Sequence, residues 1–287
     1  MKAPAFEYVA PGSLDEALRH LHETDNARIL AGGQSLVAML NMRFAFPDCL
    51  IDISRVADLA GIEDRGDSIY IGAMTRQRDV EFSGLVQQRL PLLHEAILNV
   101  GHRQTRNRGT VGGSLCQLDP SAEIPTIAMA MDARIHVGSV HGRREIAMAD
   151  FPAGYMTPAL NSDEMVLGVS IQPWNPAHGA CFIEYARRHG DYAIVSSAVL
   201  VELGQDGRIA RCSITVGGCA TAPLRVREAE AVMLGSRGEA INIAEAASRC
   251  GEVEASTDAY VTAWYRQRLA RSLTQRALTI AMQRATR

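Results

Sequence analysis

Apolar residues in the first part of the chain recur at helical spacing and then in short runs. Ser13 and Glu16 form the S-x-x-E pattern of a capping box, which predicts the start of a helix. The apolar face of this helix consists of Leu14, Ala17, Leu18 and Leu21. Runs at 27–30, 49–53 and 69–73 predict strands, with an apolar segment at 36–44 between the first two. This alternation predicts an α/β or α+β layer.

The middle of the chain predicts helices, a long loop and two further strands. Residues 75–98 are expected to be helical with a break near Pro91, and a helix is expected again over 124–131. The stretch 101–119 shows no apolar period, so we expect a long loop, and long loops within compact domains are usually functional. Strands are expected at 133–137 and 165–171.

A change of pattern follows the two prolines of residues 172–178, which mark a plausible boundary. Strands are expected at 180–187, 194–203 and 208–216, and Gly204–Gly207 predicts a hairpin between the last two. Helices are expected at 225–234, 239–250 and 260–284. The pattern predicts a three-stranded antiparallel sheet covered by helices.

Composition is typical of a soluble globular protein and narrows the choice of partners. The 287 residues are 47% hydrophobic and 21% charged, and the net charge is −3. This balance provides no field that would favour nucleic acid or an anionic membrane. We find no signal-peptide run and no stretch near the roughly 18 apolar residues of a membrane span, so a cytoplasmic protein is expected.

The side chains that often bind metals or act as nucleophiles show no recognisable spacing. None of the six cysteines forms a C-x-x-C pair, so neither a zinc site nor an iron–sulfur cluster is expected within this chain. None of the eight histidines lies in an H-E-x-x-H pattern, and His20 and His22 are expected to be solvated. Ser196 and Ser197 lack the G-x-S-x-G elbow, so we interpret them as core residues. No catalytic residue is assigned.

Two glycine loops, Ala31–Ser35 and Thr110–Ser114, offer the sharpest chemical signal. Glycine permits positive φ and close approach of the main chain, and each loop adds a hydroxyl to its exposed amides. Two such loops would be able to clamp both phosphates of a dinucleotide. For either loop taken alone, an ordinary turn is the better explanation. Neither matches a Rossmann fingerprint or a P-loop.

Four motifs resemble one flavoprotein family in the right order. The segments starting at Ile29 (ILAGGQSLVAMLNMRF) and Arg106 (RNRGTVGGSLCQLDPSAEIP) resemble the two FAD loops of the flavoprotein subunits of the xanthine dehydrogenase and carbon monoxide dehydrogenase family. The segments starting at Tyr185 (YARRHGDYAIV) and Thr215 (TVGGCATAPLR) resemble motifs of its C-terminal domain. The resemblance extends to about Met282.

This resemblance implies a two-domain α+β fold. The first domain, 1–175, would be an FAD-binding domain of the PCMH or vanillyl-alcohol-oxidase type with α/β subdomains of about 1–55 and 56–175. The second, 176–287, would be a C-terminal domain of the carbon monoxide dehydrogenase flavoprotein type.

The resemblance also implies a role in a molybdenum hydroxylase. This subunit would bind FAD, accept electrons from the [2Fe–2S] clusters of a small subunit and pass them to an external acceptor. A large molybdopterin subunit would oxidise the substrate, and the assembly is expected to be a dimer of heterotrimers. No residue is assigned to covalent flavin attachment, so non-covalent FAD is expected. The substrate and the acceptor stay open.

The resemblance implies FAD contacts at both loops and at several positions outside them. The two loops would hold the diphosphate, Tyr192 and Leu167 would lie near the isoalloxazine ring, and Glu123 stands where relatives often carry Asp. The full set is Ile29, Leu30, Ala31, Gly32, Gly33, Gln34, Ser35, Leu36, Val100, His102, Thr110, Gly112, Gly113, Ser114, Glu123, Leu167 and Tyr192.

A few positions carry further expectations. Gln34 replaces a histidine that is frequent in carbon monoxide dehydrogenase relatives, so we expect FAD binding to survive with some loss of affinity. An RNA-binding loop would also explain Arg103, Arg106 and Arg108, but charge compensation near a diphosphate or a partner is more economical. Arg187 and Arg188 are expected to contact cofactor or subunit.

Two other classes of function remain as alternatives. A non-catalytic assembly protein of the same fold is disfavoured by the intact glycines of both loops. A free-standing flavin oxidase is disfavoured because the chain lacks a substrate domain of that type.

Overall fold

The amino-terminal residues form a parallel sheet because a capped helix carries the chain from one edge strand to the other. In the computed structural model, which describes residues 2–286, this first sheet has the strand order β1-β3-β2. The Ser13 hydroxyl accepts the Glu16 N–H, and the Glu16 carboxylate accepts the N–H of Gly12. The elements are β1 (Glu7–Val9), α1 (Leu14–Glu23), β2 (Ala27–Leu30), α2 (Leu36–Asn41) and β3 (Cys49–Asp52).

The second sheet is antiparallel and has the strand order β4-β5-β10-β6-β7. Its strands are β4 (Ile62–Asp64), β5 (Ile69–Gly72), β6 (Arg134–Ser139), β7 (Gly142–Ala147) and β10 (Met165–Ile171). A two-stranded ribbon, β8 (Pro152–Gly154) with β9 (Thr157–Pro158), precedes β10. Strand β7 is not apparent in the apolar pattern, because this edge strand exposes four consecutive residues and lacks an apolar alternation.

Six short helices connect β5 to β6. They are α3 (Gln77–Phe82), α4 (Gly84–Arg89), α5 (Pro91–Ile97), α6 (Arg103–Arg108), α7 (Val111–Gln117) and α8 (Glu123–Ala130). The predicted break is found at Pro91, the first residue of α5. The N–H group that proline lacks would have no partner within the helix at this position. The predicted long loop over 101–119 is wrong, because α6 and α7 occupy most of it. Helix α6 buries no residue and α7 contains two glycines, so neither shows a helical apolar period.

The third sheet follows the residues around Pro173 and Pro176. Three long antiparallel strands form it as predicted, and a two-residue strand is added at one edge. The strands are β11 (Gly179–Tyr185), β12 (Val195–Leu203), β13 (Ile209–Gly217) and β14 (Leu224–Arg225), and the helices are α9 (Arg227–Met233), α10 (Ala240–Gly251) and α11 (Ala263–Ala285).

Strand β12 lies between two hydrophobic cores. Ala198 and Leu200 pack with α5, α8 and the second sheet, whereas Val199 and Val201 pack with α9, α10 and α11. Successive side chains of a strand point to opposite faces, so burial on both faces explains why this run is almost continuously apolar. The third sheet therefore shares one core with the second sheet.

Polar contacts reinforce this shared boundary. The Glu95 carboxylate on α5 accepts the N–H of Phe182 at 2.9 Å and pairs with Arg284 at 2.5 Å. The main-chain N–H of Gly218 donates to the Pro120 carbonyl at 2.7 Å. From the positions of the three sheets we propose domain boundaries near residues 55 and 175. Within residues 2–286, no helix combines the length and the apolarity that crossing a membrane requires.

Candidate functional site

The two glycine loops lie side by side. A Cβ placed on Gly32 would be 2.9 Å from the carbonyl carbon of Arg108 and 2.9 Å from the Cα of Gly109. A Cβ on Gly113 would be 3.7 Å from the Cβ of Ala31. Only glycine fits at position 32, because a side chain would overlap the backbone that leads into the second loop. Two segments that are remote in sequence thus form one surface.

The first loop presents a run of free main-chain donors. It leaves β2 at Leu30, turns at Gly33 with φ +73° and enters α2 at Leu36. Within residues 2–286, no protein acceptor takes a hydrogen bond from the main-chain N–H groups of 32–35. Successive free amides in a turn are the arrangement that binds anions. The Gln34 side chain folds back on this loop, and its Nε2 donates to the Gly32 carbonyl at 3.4 Å.

The second loop is different, because its amides already have acceptors. Gly112 N–H donates to the Ala73 carbonyl at 2.8 Å, Gly113 N–H donates to the Thr110 hydroxyl at 3.1 Å, and Ser114 N–H donates to the Thr110 carbonyl at 3.1 Å. The expectation of exposed amides is therefore wrong here: Thr110 caps α7 and uses them. A Cβ on Gly112 would lie 2.5 Å from the Cβ of Ala73, so this glycine lets α7 pack closely on the end of β5.

Tyr192 stands beside the first loop. The residue is 58% exposed. Desolvation of the phenol and the charges of Asp119 and Glu123 raise the pKa of Tyr192, and a hydrogen bond with Ser35 lowers it. The phenol hydroxyl is thus close to Ser35 in the first loop. Tyr192, in the segment between β11 and β12, therefore lies next to the first glycine loop, and we call the region between them the crevice.

Three carboxyl groups line this crevice. Glu123, at the start of α8, is 3% exposed, and burial together with nearby Asp119 raises its pKa to about 7. Burial and the charge of Glu123 raise the pKa of Glu184 on β11 to about 8. Burial also raises the pKa of Asp119, although it accepts the Ser121 N–H at 2.9 Å. The Oε2 atom of Glu184 is buried and has no hydrogen-bond partner within residues 2–286.

His102 connects the lead-in to the second loop with the segment that carries Tyr192. Its ring lies edge-on to His189 with centroids 6.1 Å apart, and a Cβ on Gly190 would overlap the His102 ring. Gly190 has φ +86°, so glycine is required there for the backbone as well as for space. Val100, in contrast, is 8% exposed and belongs to the core next to the second sheet.

The remaining apolar candidates lie at different depths. Ile29, Leu30 and Leu36 are half-buried at the two ends of the first loop. Leu167 is 6% exposed and packs in the core between α1 and the second sheet. Its carbonyl accepts the N–H of Ala73, whose own carbonyl accepts the N–H of Gly112. Leu167 thus supports the second loop through main-chain bonds.

One of the three arginines in this region has a structural role. Arg106 pairs with Glu81 at 2.9 Å and donates to the Val100 carbonyl at 3.0 Å, with only 11% of its side chain exposed. Its charge is used inside the fold, which corrects its interpretation as compensation for a diphosphate. Arg103 and Arg108 remain exposed.

Comparison with known proteins assigns the chain to a family. Residues 4–174 match the FAD binding domain in molybdopterin dehydrogenase, and residues 180–281 match the CO dehydrogenase flavoprotein C-terminal domain. The chain belongs to this family of FAD-binding medium subunits. It is therefore a flavoprotein subunit of an oxidoreductase, and the predicted fold class is confirmed.

Named relatives cover nearly the whole subunit. The chain is 38% identical to the 6-hydroxypseudooxynicotine dehydrogenase complex subunit alpha of Paenarthrobacter nicotinovorans, over 99% of this chain and 97% of that one. A carbon monoxide dehydrogenase structure from Hydrogenophaga pseudoflava, which lacks the Mo-pyranopterin moiety of its cofactor, matches with a TM-score of 0.96 and 34% identity over 99% of both chains. Quinoline 2-oxidoreductase from Pseudomonas putida 86 matches with a TM-score of 0.95 and 34% identity over 100% of both chains.

Two carboxyl groups of this site, those of Asp119 and Glu184, were not predicted from the sequence. Asp119 lies within the segment starting at Arg106, two residues after Gln117, the last residue of α7. Glu184 gave a weaker signal, an acidic residue inside the predicted strand 180–187. Neither position stands out until the third sheet is placed against α8.

Proposed function

We propose that this chain accepts electrons from the [2Fe–2S] clusters of a small subunit and passes them through FAD to an external acceptor. A large molybdopterin subunit would oxidise the substrate, in a dimer of heterotrimers. The observation that carries this proposal is the contact between the two glycine loops, which forms one surface near the exposed Tyr192. Bound FAD would supply the redox chemistry, and the protein would bind and orient it.

The residues of both loops fit the diphosphate of FAD. The free amides of 32–35 and the hydroxyl of Ser35 would donate to the phosphates. Thr110, Gly113 and Ser114 would close the other side, with Thr110 acting mainly through the shape of α7. No side chain in this surface is assigned a covalent bond to the cofactor, so binding would be non-covalent.

The carboxyl groups fit the flavin end of the cofactor rather than its phosphates. A carboxylate beside a phosphate would repel it, whereas a protonated carboxyl donates a hydrogen bond. With a pKa of about 7 and about 8, Glu123 and Glu184 are partly or mostly protonated at neutral pH. They are therefore suited to donate to a flavin or ribityl oxygen. The exposed Tyr192 ring would lie beside the isoalloxazine.

The cysteines support the placement of the clusters on a partner. All six are free thiols, and five of them are buried. Within residues 2–286, no group of three or more cysteine thiols lies close enough together to hold a cluster. The names of the relatives refer to 6-hydroxypseudooxynicotine, carbon monoxide and quinoline, so they leave the substrate of this chain's partner open.

Reconstitution with FAD tests the proposal. The full chain, stripped of flavin, is titrated with FAD while flavin fluorescence and absorbance are followed. We expect one FAD per chain that gel filtration retains and that acid precipitation releases intact. Absence of flavin binding would refute the proposed function, and flavin that stays attached after precipitation would refute non-covalent binding.

Two further measurements separate this function from its alternatives. A free-standing oxidase would consume oxygen with its own substrate in the absence of other subunits. An assembly protein would co-purify with the iron–sulfur and molybdenum subunits while its flavin, if any, stayed oxidised when the holoenzyme received substrate. We expect flavin bleaching only when all three subunits are present.

A further inference from the structure

A second group of ligand-type side chains lies away from the glycine loops. His22 is in the last turn of α1, His141 is in the turn between β6 and β7, and Asp163 is in the turn before β10. The ligand atoms of these three side chains all lie within 4.8 Å of one another. Three segments that are remote in sequence therefore converge where α1 meets the second sheet.

The separations are close to those of a metal site. The Asp163 Oδ2 atom is 3.7 Å from His22 Nδ1 and 3.8 Å from His141 Nε2. A tetrahedral ion with bonds of about 2.0–2.1 Å keeps its ligand atoms roughly 3.3–3.4 Å apart. The two imidazole rings are almost perpendicular, at 87° with centroids 5.0 Å apart, so they do not stack on each other. Small side-chain rotations would bring all three atoms to bonding distance.

The turns that carry the ligands are braced. Arg144 on β7 donates to Glu164 at 2.6 and 2.7 Å, and Glu164 accepts the Asn161 N–H at 2.7 Å. This ion pair fixes the turn on which Asp163 stands. The N–H of His141 donates to the Ser139 hydroxyl at 3.1 Å, which fixes the second turn. Ligands on a rigid frame lose less conformational entropy when an ion binds.

We propose that His22, His141 and Asp163 bind a divalent transition-metal ion of the zinc class. Two imidazoles and one carboxylate are ligands that zinc, cobalt and nickel share, and water would complete the coordination. The ion would tie α1 to the β6–β7 edge of the second sheet, and it would thereby stabilise the amino-terminal half of the protein. The site is independent of the flavin crevice. His22 is exposed, as expected, and the proposed site would give it a role as a ligand.

Cobalt provides the spectroscopic test on the full chain. Metal-free protein is titrated with Co²⁺ and the visible d–d bands are recorded, followed by displacement with Zn²⁺. The variants are His141→Asn and Asp163→Asn, both in surface turns. His20→Ala is the matched control, because it removes an imidazole from the same helix without removing a ligand. Thermal unfolding with and without Zn²⁺ is measured in parallel.

We expect saturation at one Co²⁺ per chain in the wild type and in His20→Ala, and at least a tenfold weaker affinity in the other two variants. Zn²⁺ at a hundred times Kd should raise Tm by at least about 5 °C, and this rise should vanish in His141→Asn. Binding that is unchanged in His141→Asn and Asp163→Asn would overturn the proposal. So would a thiolate charge-transfer band, because it would place the metal on cysteine.

Discussion

The replacement Gly32→Ala tests the contact between the two glycine loops. The added Cβ would lie 2.9 Å from the Arg108 carbonyl carbon and from the Cα of Gly109, and closer still to the Arg108 carbonyl oxygen. Carbon atoms in favourable contact are about 3.5–4.0 Å apart, so the loops must separate by roughly 0.6–1.1 Å. Forced separations of this kind cost about 1–3 kcal/mol.

The loops must come together to bind both phosphates, so we expect this cost to appear in FAD affinity. It corresponds to a Kd that is about 5–150 times larger, since about 1.4 kcal/mol is a factor of ten. Flavin fluorescence titration measures Kd, and urea unfolding of the apoprotein measures stability. Gly84→Ala is the matched control, because its Cβ would meet nothing within 4 Å. It should leave both quantities nearly unchanged.

The proposed role of the loop contact would be refuted if the Kd of Gly32→Ala for FAD stayed within twofold of the wild-type value and its free energy of unfolding was also unchanged. If Gly32→Ala failed to fold, Gly113→Ala provides a milder test. Its Cβ would lie 2.7 Å from the Thr110 hydroxyl, which is able to rotate away. We expect Gly113→Ala to fold and to lose part of its FAD affinity. Normal retention by that variant would contradict the assignment of the second loop.

Three other predictions concern the crevice and the third sheet. The raised pKa of Glu123, about 7, means that the native apoprotein keeps a proton which the unfolded chain releases above about pH 4.5. The free energy of unfolding should therefore fall as the pH rises from about 4.5 to 7, and Glu123→Gln should recover about 2 kcal/mol at pH 8 in urea unfolding. Identical pH profiles of the wild type and this variant would contradict the prediction. Tyr192→Leu should keep FAD but change the absorbance and fluorescence of the bound flavin, and an unaltered spectrum would separate this ring from the isoalloxazine. Arg266→Ala removes the donors to the carbonyls of Ile194 and Gly218 and the ion pair with Asp258. We therefore expect the free energy of unfolding to fall by about 3 kcal/mol. A fall of less than about 1 kcal/mol would mean that the two carbonyls find other donors.

Local signals in the sequence were sufficient for elements that local interactions determine. The start of α1 was predictable because the Ser13 cap is formed by residues within a few positions. The bounds of β2 and β10 agree with their apolar runs. Helices α6 and α7 were not predictable in this way, because one buries nothing and the other is stabilised by its cap and by contacts with β5.

At the site, too, only the features that depend on neighbouring residues were predictable from the sequence. The glycines of both loops were visible in the sequence, but their contact and the use of the second loop's amides depend on how α7 packs. The burial of Glu184 depends on the third sheet lying against α8, more than fifty residues earlier in the chain. The meeting of His22, His141 and Asp163 likewise depends on the packing of one helix against two separate turns, so no spacing rule would have revealed it.

The position of β12 between two cores has a consequence for how cofactor enters and leaves. A large apolar boundary opposes hinge motion between domains. The side of the crevice where Glu184 lies against α8 is therefore expected to keep its width when FAD binds or leaves. FAD would leave past the exposed Tyr192 or after the third sheet has separated from the second. Slow cofactor exchange would then be a property of the shared core, and the strength of individual phosphate contacts would affect it less.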